Sequence, residues 1–525
     1  MAQKQYLGKL YSFARAHFSS SKKGILGPSA TTKKDGLLFG KQQQQQQPPT
    51  IIQSTPLKQV IQHELQTTGL PMSLARFMEL GLMHPEHGYY STKDKIFNKG
   101  GDFTTSPEIS QMFGEMLGIW IMTAIRNNYM KVDDTSGEAS GEVSSVNLVE
   151  IGPGSGLMMS DIIRTLAQFT GNLKNFQLNL IEASPNLISK QQERLLADLK
   201  GYNINMFLTY DMDLHKRQSN PADKEQSSQI KIERFYNTEQ NFSIAWFPTL
   251  KDYYNYYLET QIKKVQSITG GDKSKKLSKH QVAQLTSNPV LILAHELYDA
   301  LPVHQFEYTT ERQWQERMVH SEGNTLVLKA SEKGKENVDK VLKPEKLFAG
   351  QSEIKVGDTI EICPSAVSLT QEIMSLIEVS RGAALIVDYG EDHAFSNSFR
   401  GIKEHKVYKE FSQIAENVGN IDLTTYVNFN QIKKIAESNA NLLVNGPMPQ
   451  GLFLECMGIT MRLEILQKAA KTQAQRKLLE DSYIRLCHPE QMGEIYKMLF
   501  LGHKEVGDIF PFLGEETEKK QNTFG

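Results

Sequence analysis

A chain of 525 residues, 39% hydrophobic and with a formal net charge of −2, is long enough for a large buried core and for roughly two to four domain-sized units. Its near-neutral balance gives no global basic field for nucleic acid, and no apolar run approaches the ~18 residues of a membrane span, so neither partner is expected. Cys363, Cys456 and Cys487 lie far apart without CxxC spacing, which argues against a disulfide framework or a cysteine zinc site and fits a reducing compartment.

From Met1 to Lys34 there is no Asp or Glu, while Lys4, Lys9, Arg15, Lys22 and Lys23 are basic. Leu7, Leu10, Tyr11, Ala14 and Phe18 share one helical face, and Ser19, Ser20 and Ser21 follow. An acid-free, basic, serine-containing amphipathic segment has the signature of a mitochondrial transit peptide, so residues 1–34 are read as one and the mitochondrial matrix as the destination. A plain basic tail shares this composition and stands as the alternative. The run Gln42 to Gln47 with Pro48 and Pro49 marks residues 35–56 as a low-complexity linker.

From Leu57 onward the pattern turns helical. A helix is expected from Met72 to Gly81, and Ser106-Pro107-Glu108 reads as an N-cap, a proline at the first position and an acid in the first turn of the next. Residues 57–132 therefore form an N-terminal helical segment, and the Gly/Ser-rich stretch from Asp133 to Ser145 is a loop. Strands alternate with helices after that. Val146–Ile151, Gln177–Ile181, Ser243–Phe247, Val290–Ala294 and Ala383–Val387 are the strands, and Leu157–Phe169 is the first intervening helix. Such alternation predicts a mostly parallel sheet covered on both faces. Polar stretches at about 212–240, 251–288 and 321–350 read as surface insertions.

The first strand ends in Glu150-Ile151-Gly152-Pro153-Gly154-Ser155-Gly156. A glycine-rich turn between strand and helix brings backbone N–H groups close to a ligand. A Walker loop needs Lys and Ser or Thr after the last glycine, but Leu157 and Met158 follow. A dinucleotide fingerprint needs its third glycine or alanine at 157, which is leucine. The remaining pattern, an acid followed by G-x-G-x-G, resembles motif I of the Rossmann-like methyltransferases. That resemblance implies S-adenosylmethionine as cofactor, with Gly152, Gly154 and Gly156 admitting its methionine part and Glu150 among the cofactor-binding residues. It also implies that Glu182, closing the next strand, bonds the ribose hydroxyls.

Further segments narrow the resemblance. Leu82 to Tyr90 reads LMHPEHGYY, Gly100 to Ser110 reads GGDFTTSPEIS, and Ala294 to Val303 reads AHELYDALPV. Trp314 to Arg317, Val387 to Gly390, Asp422 to Phe429 and Met492 to Glu494 complete the series. In this order, from about Gly69 to Leu499, they resemble the MidA family, whose mitochondrial members are arginine methyltransferases needed for respiratory complex I assembly. The resemblance implies a protein substrate, namely symmetric dimethylation of an arginine on the 49-kDa-type core subunit of complex I. The family usually has Asn-Glu where this chain has His295-Glu296. The expected fold is α/β: a Rossmann-like S-adenosylmethionine-dependent methyltransferase core over residues 146–505, preceded by the helical segment, carrying insertions and ending in a tail at 506–525.

A guanidinium pairs bidentately with carboxylates, and ligands of open α/β sheets bind at the carboxyl ends of the strands. Glu296 and Asp299, just past the fourth strand, are therefore the candidate catalytic carboxylates, Glu296 gripping the acceptor and Asp299 supporting it. In the plainer alternative Asp299 caps a helix and Glu296 orients the loop. Asp102, His295 and Asp388 are placed in the substrate loop. His84 and His87 lack matched ligands, and no metal is expected. A cofactor-binding assembly chaperone without catalysis, and a methyltransferase acting on a small molecule or RNA, are the competing functions.

Overall fold

The computed structural model describes residues 54–92, 102, 104–129, 145–201, 206–214, 230–269, 288–344 and 354–513. The expected transit peptide, most of the linker and residues 514–525 lie outside them. Among the described residues the central sheet has ten strands. Nine of them are β1 (Val146–Ile151), β2 (Phe176–Ile181), β3 (Phe207–Leu214), β4 (Ile230–Asn237), β5 (Phe242–Phe247), β6 (Val290–His295), β7 (Ala383–Glu391), β8 (Leu442–Pro449) and β9 (Tyr496–His503). Their order is β8-β9-β7-β6-β1-β2-β5-β4-β3, and Val427–Asn428 adds a short parallel pairing to β7. Strands β5, β2, β1, β6 and β7 are parallel neighbours, while β9 runs antiparallel between β7 and β8. The sheet order reverses at β1, so the carboxyl ends of β1 and β6 border the crevice where such sheets bind ligands.

Burial explains the apolar strands. All six residues of β6 are buried, as a parallel strand covered on both faces requires. Their side chains alternate: Leu291 and Leu293 join one core cluster, Val290, Ile292 and Ala294 the other. Along the chain the covering helices are preceded by α1 (Pro56–Thr68) and α2 (Leu74–Met83). One face of the sheet is covered by α3 (Gln111–Ala124), α4 (Leu157–Thr170) and α5 (Pro185–Gly201), the other by α6 (Leu250–Thr269) and α7 (Pro364–Ser380). Helices α3 and α4 touch closely because Gly118 carries no Cβ, which would lie 2.8 Å from Thr165 Cβ.

A second, antiparallel sheet of five strands contains Met72–Ser73, His304–Tyr308, Trp314–Glu322, Thr325–Ser331 and Thr359–Ile362. Leu57, Ile61, Phe77 and Met78 of α1 and α2 pack with Val319 and Leu326 of this sheet and with Ile414 and Leu423. The N-terminal segment thus divides: α1 and α2 join the inserted sheet, whereas α3 belongs to the main core.

Several local expectations are corrected. Met72 and Ser73 are strand, and Ser73 caps α2 by accepting the Arg76 N–H. Gly81 does not end that helix; it is buried within it, where an added Cβ would lie 2.5 Å from Leu423 Cδ1. The N-cap before Pro107 is Thr105, and the helix breaks at Ser110, which caps α3. Residues 230–237 are strand β4 rather than an insertion loop, and α6 buries Tyr253 and Tyr257 against the sheet. In α6 the buried positions Tyr253, Tyr257, Gln261 and Val265 are interleaved with polar residues, which hides the buried row in the sequence. Ile509 and Phe512 are buried in the main core, so packing continues past residue 505.

Candidate active site

The glycine turn joins β1 to α4. Gly152, Gly154 and Gly156 have φ of 68°, 54° and 73°, a left-handed region that side chains disfavour. A Cβ at Gly152 would sit 3.0 Å from Leu297 Cδ1, so the turn also lies against the loop after β6. Two carboxylates flank it. Glu150 is 2% exposed and its Oε2 has no hydrogen-bond partner; burial, then the charge of Glu182, pushes its pKa up to about 8. Glu182 follows β2 and accepts the Ser184 N–H at 2.8 Å, and burial raises its pKa also. Helix α5 contributes residues that sequence reasoning missed: Gln191 donates to Gly154 O at 2.8 Å and Arg194 to Ser155 O at 3.0 Å. No sequence signal marks either one, because neither belongs to the turn.

These groups border a cleft of about 790 Å³, whose lining includes Glu150, Gly154, Glu182, His295, Glu296 and Tyr90. A smaller cavity of about 50 Å³ is lined by Glu296, Asp299, Asp422, Tyr90, Tyr389 and Arg400 among others. Tyr90 and Glu296 border both, so the two cavities meet at a wall made by one ring and one carboxylate.

The loop after β6 is held in a constrained form. Glu296 has φ +47°, uncommon for a side-chain-bearing residue. Its own N–H reaches Val387 O at 2.9 Å, and its Oε1 accepts the Ser106 N–H at 3.1 Å. Burial, then Asp299, raises its pKa well above the ordinary carboxylate value. Asp299 Oδ2 accepts the hydroxyls of Tyr389 at 2.9 Å and Thr424 at 2.7 Å, and burial raises its pKa despite those bonds. Asp299 therefore faces the cavity and is no helix cap. The capping role falls to Asp388, whose Oδ2 accepts the N–H groups of Leu297, Tyr298 and Asp299. Asp388, expected in the substrate loop, is 0% exposed, shapes this loop through its backbone contacts and is absent from the lining of the small cavity.

His295 ends β6 and lines the cleft beside Phe113, its ring 5.0 Å away. Its Nε2 lies 3.2 Å from Glu296 Oε1 outside hydrogen-bonding geometry, and burial lowers its pKa to about 3, so it is neutral. Asp102, also expected in the substrate loop, accepts the Tyr89 hydroxyl at 2.8 Å and the Glu404 N–H at 2.9 Å, tying the N-terminal segment to a hairpin turn; it is absent from the lining of both cavities. His84 Nδ1 accepts the Glu86 and His87 N–H groups, a turn-forming use. Asp422, Thr424 and Tyr389 were legible only as members of motif segments, since their meeting depends on strands far apart in the chain.

Residues 116–448 match the family described as "Putative S-adenosyl-L-methionine-dependent methyltransferase". The chain belongs to this family. Among curated relatives, a mouse protein named "Protein arginine methyltransferase NDUFAF7, mitochondrial" is 30% identical over 452 residues, 86% of this chain and 85% of its own. The human protein of that name is 28% identical over 85% of this chain and 83% of its own. A crystal structure from Burkholderia thailandensis, bound to S-adenosyl-homocysteine, shares the fold at TM-score 0.57 and 18% identity, covering 86% of this chain and 92% of that one.

As an S-adenosyl-L-methionine-dependent methyltransferase, the protein presents features that fit this cofactor. The cleft volume lies within the ~300–1,000 Å³ of small-molecule sites. The glycine turn leaves backbone exposed at its floor, and the unpartnered Oε2 of Glu150 gives a buried acceptor for a cationic group.

Proposed function

We propose that the chain is a mitochondrial protein arginine methyltransferase, with Glu150, Gly152, Gly154, Gly156 and Glu182 holding the cofactor and with the small acidic cavity receiving the acceptor guanidinium. The carrying observation is that Glu296 lines both cavities. At roughly 10–15 Å³ per water-sized group, a cavity of about 50 Å³ takes about four heavy atoms, the size of a guanidinium. The names of the relatives support the same reading, and the resemblance extends it to symmetric dimethylation of the 49-kDa-type complex I subunit in the matrix.

The bound cofactor supplies an electrophilic methyl group on a sulfonium. The protein's part is to hold one acceptor nitrogen in line with it and exclude water. Glu296, fixed by the Ser106 N–H, is placed to pair with the guanidinium, and Asp299 adds a second carboxylate. Burial raises the pKa of both carboxyl groups, and a guanidinium beside them supplies the counter-charge that favours their ionised forms. After transfer the acceptor nitrogen must lose a proton, and Glu296, Asp299 and Asp422 are the carboxylates that line the cavity to take it.

The test is incubation of the purified protein with labelled S-adenosylmethionine and the complex I subunit, followed by mass-spectrometric mapping. Label on arginine that disappears in Glu296→Ala while cofactor binding persists supports the proposal. Binding without any transfer favours the chaperone, and transfer to RNA alone defeats it.

A further inference from the structure

Gln191 occupies an unusual position: it lines neither cavity, yet it touches both halves of the cofactor cleft. Its side chain is 0% exposed. The amide nitrogen donates to Gly154 O at 2.8 Å and to Glu182 Oε2 at 3.2 Å, while the amide oxygen accepts Trp246 Nε1 at 2.9 Å. An indole nitrogen only donates, so the amide oxygen must face Trp246. That leaves both amide protons for the turn and for Glu182, which fixes the flip state by chemistry. Trp246, at the end of β5, is itself 4% exposed and braced edge-on by Phe235 with ring centroids 6.0 Å apart. The turn and the side chain are also in close contact, since a Cβ at Gly156 would lie 3.2 Å from Gln191 Cγ.

We propose that Gln191, oriented by Trp246, is the positioning residue that sets the spacing between the glycine turn and Glu182 and so controls cofactor affinity. Glu182 and the turn come from different strands; the Ser184 N–H holds one carboxylate oxygen, and the Gln191 amide ties the other to the turn. The amide bridge joins the two by one rigid planar group. Its bond to Glu182 also favours the charged form of that carboxylate, against the larger opposing effect of burial. The role is indirect: Gln191 acts through Gly154 and Glu182, and Trp246 acts through Gln191.

Calorimetric titration of S-adenosylhomocysteine into the full chain tests this, with Q191M, Q191E, W246F and the double variant W246F/Q191M. Loss of the bridge in Q191M weakens binding about tenfold, the scale of one or two lost hydrogen bonds. Q191E fills the same space but sets a carboxylate against Glu182, so it is weaker still, by about a hundredfold against the wild type. W246F releases the amide to flip and costs about threefold, and the double variant matches Q191M alone because both changes act on one bridge. A merely space-filling role would leave Q191E no weaker than Q191M, and that ranking overturns the proposal. Multiplying losses in the double variant, or wild-type affinity in Q191M, overturns it equally. Should circular dichroism show Q191M unfolded, W246F decides alone, and unchanged affinity there rejects the assignment.

Discussion

The buried carboxylate of Asp388 holds the backbone N–H of Tyr298 at 2.9 Å, joining the end of β7 to the loop that follows β6. The same oxygen takes the N–H groups of Leu297 and Asp299, and Oδ1 takes that of Tyr389. Four donors therefore depend on one side chain. Asp388→Ala leaves them unsatisfied and should cost about 4 kcal/mol in urea unfolding, with Asp388→Asn costing about half, since its NH2 must then face a donor. An alanine variant within about 1 kcal/mol of the wild type contradicts this account.

The glycine turn predicts a separation of binding from folding. Gly154 has φ +54°, so Gly154→Val strains the turn by about 1–2 kcal/mol and sets a branched side chain where the cofactor approaches. The variant should melt a few degrees lower and lose S-adenosylmethionine binding beyond detection. Retained affinity in a folded Gly154→Val protein refutes the cofactor placement.

Glu150 predicts a pH dependence with a definite sign. Its pKa rises from 4.5 to about 8 in the folded, cofactor-free protein. The unfolded chain releases this proton first, so the contribution to stability is full below pH 4.5 and is lost as pH rises towards about 8. The cofactor-free melting temperature should therefore fall across that window, and Glu150→Gln should flatten part of the fall. Cofactor affinity should rise over the same range, because a cationic ligand favours the ionised carboxylate. Identical pH slopes in the two proteins remove Glu150 from this role.

Helix contact makes a further prediction away from the site. Gly118 on α3 has room for no Cβ against Thr165. Gly118→Val should destabilise the fold by about 1–3 kcal/mol through overpacking, read as a lower urea midpoint. No loss would mean that α3 does not pack on α4 as described.

Much of the fold was legible because parallel strands buried on two faces have a distinctive local composition. Val146–Ile151 and Val290–Ala294 needed no tertiary information beyond that. The strand Ile230–Asn237 and helix α6 were not legible, since their sequences are rich in Lys, Glu, Gln and Asn, and only pairing with β3 and β5 or packing on the sheet selects their conformation. Gly81 misled for a related reason: glycine ends helices by adopting positive φ, but here it serves the close approach of Leu423.

For the site, the sequence by itself excluded two nucleotide patterns at the turn, and its resemblance to motif I implied the cofactor. Leu157 and Met158 after the last glycine exclude the phosphate-loop and dinucleotide patterns, which need Lys with Ser or Thr, or Gly or Ala, at those places. Only the tertiary structure decided which carboxylate does what. Asp102, Asp299 and Asp388 are equivalent in type, yet one ties a hairpin, one lines the small cavity and one caps a loop. Those roles come from donors supplied by residues up to 302 positions away, and no local pattern encodes which donors will surround a buried charge.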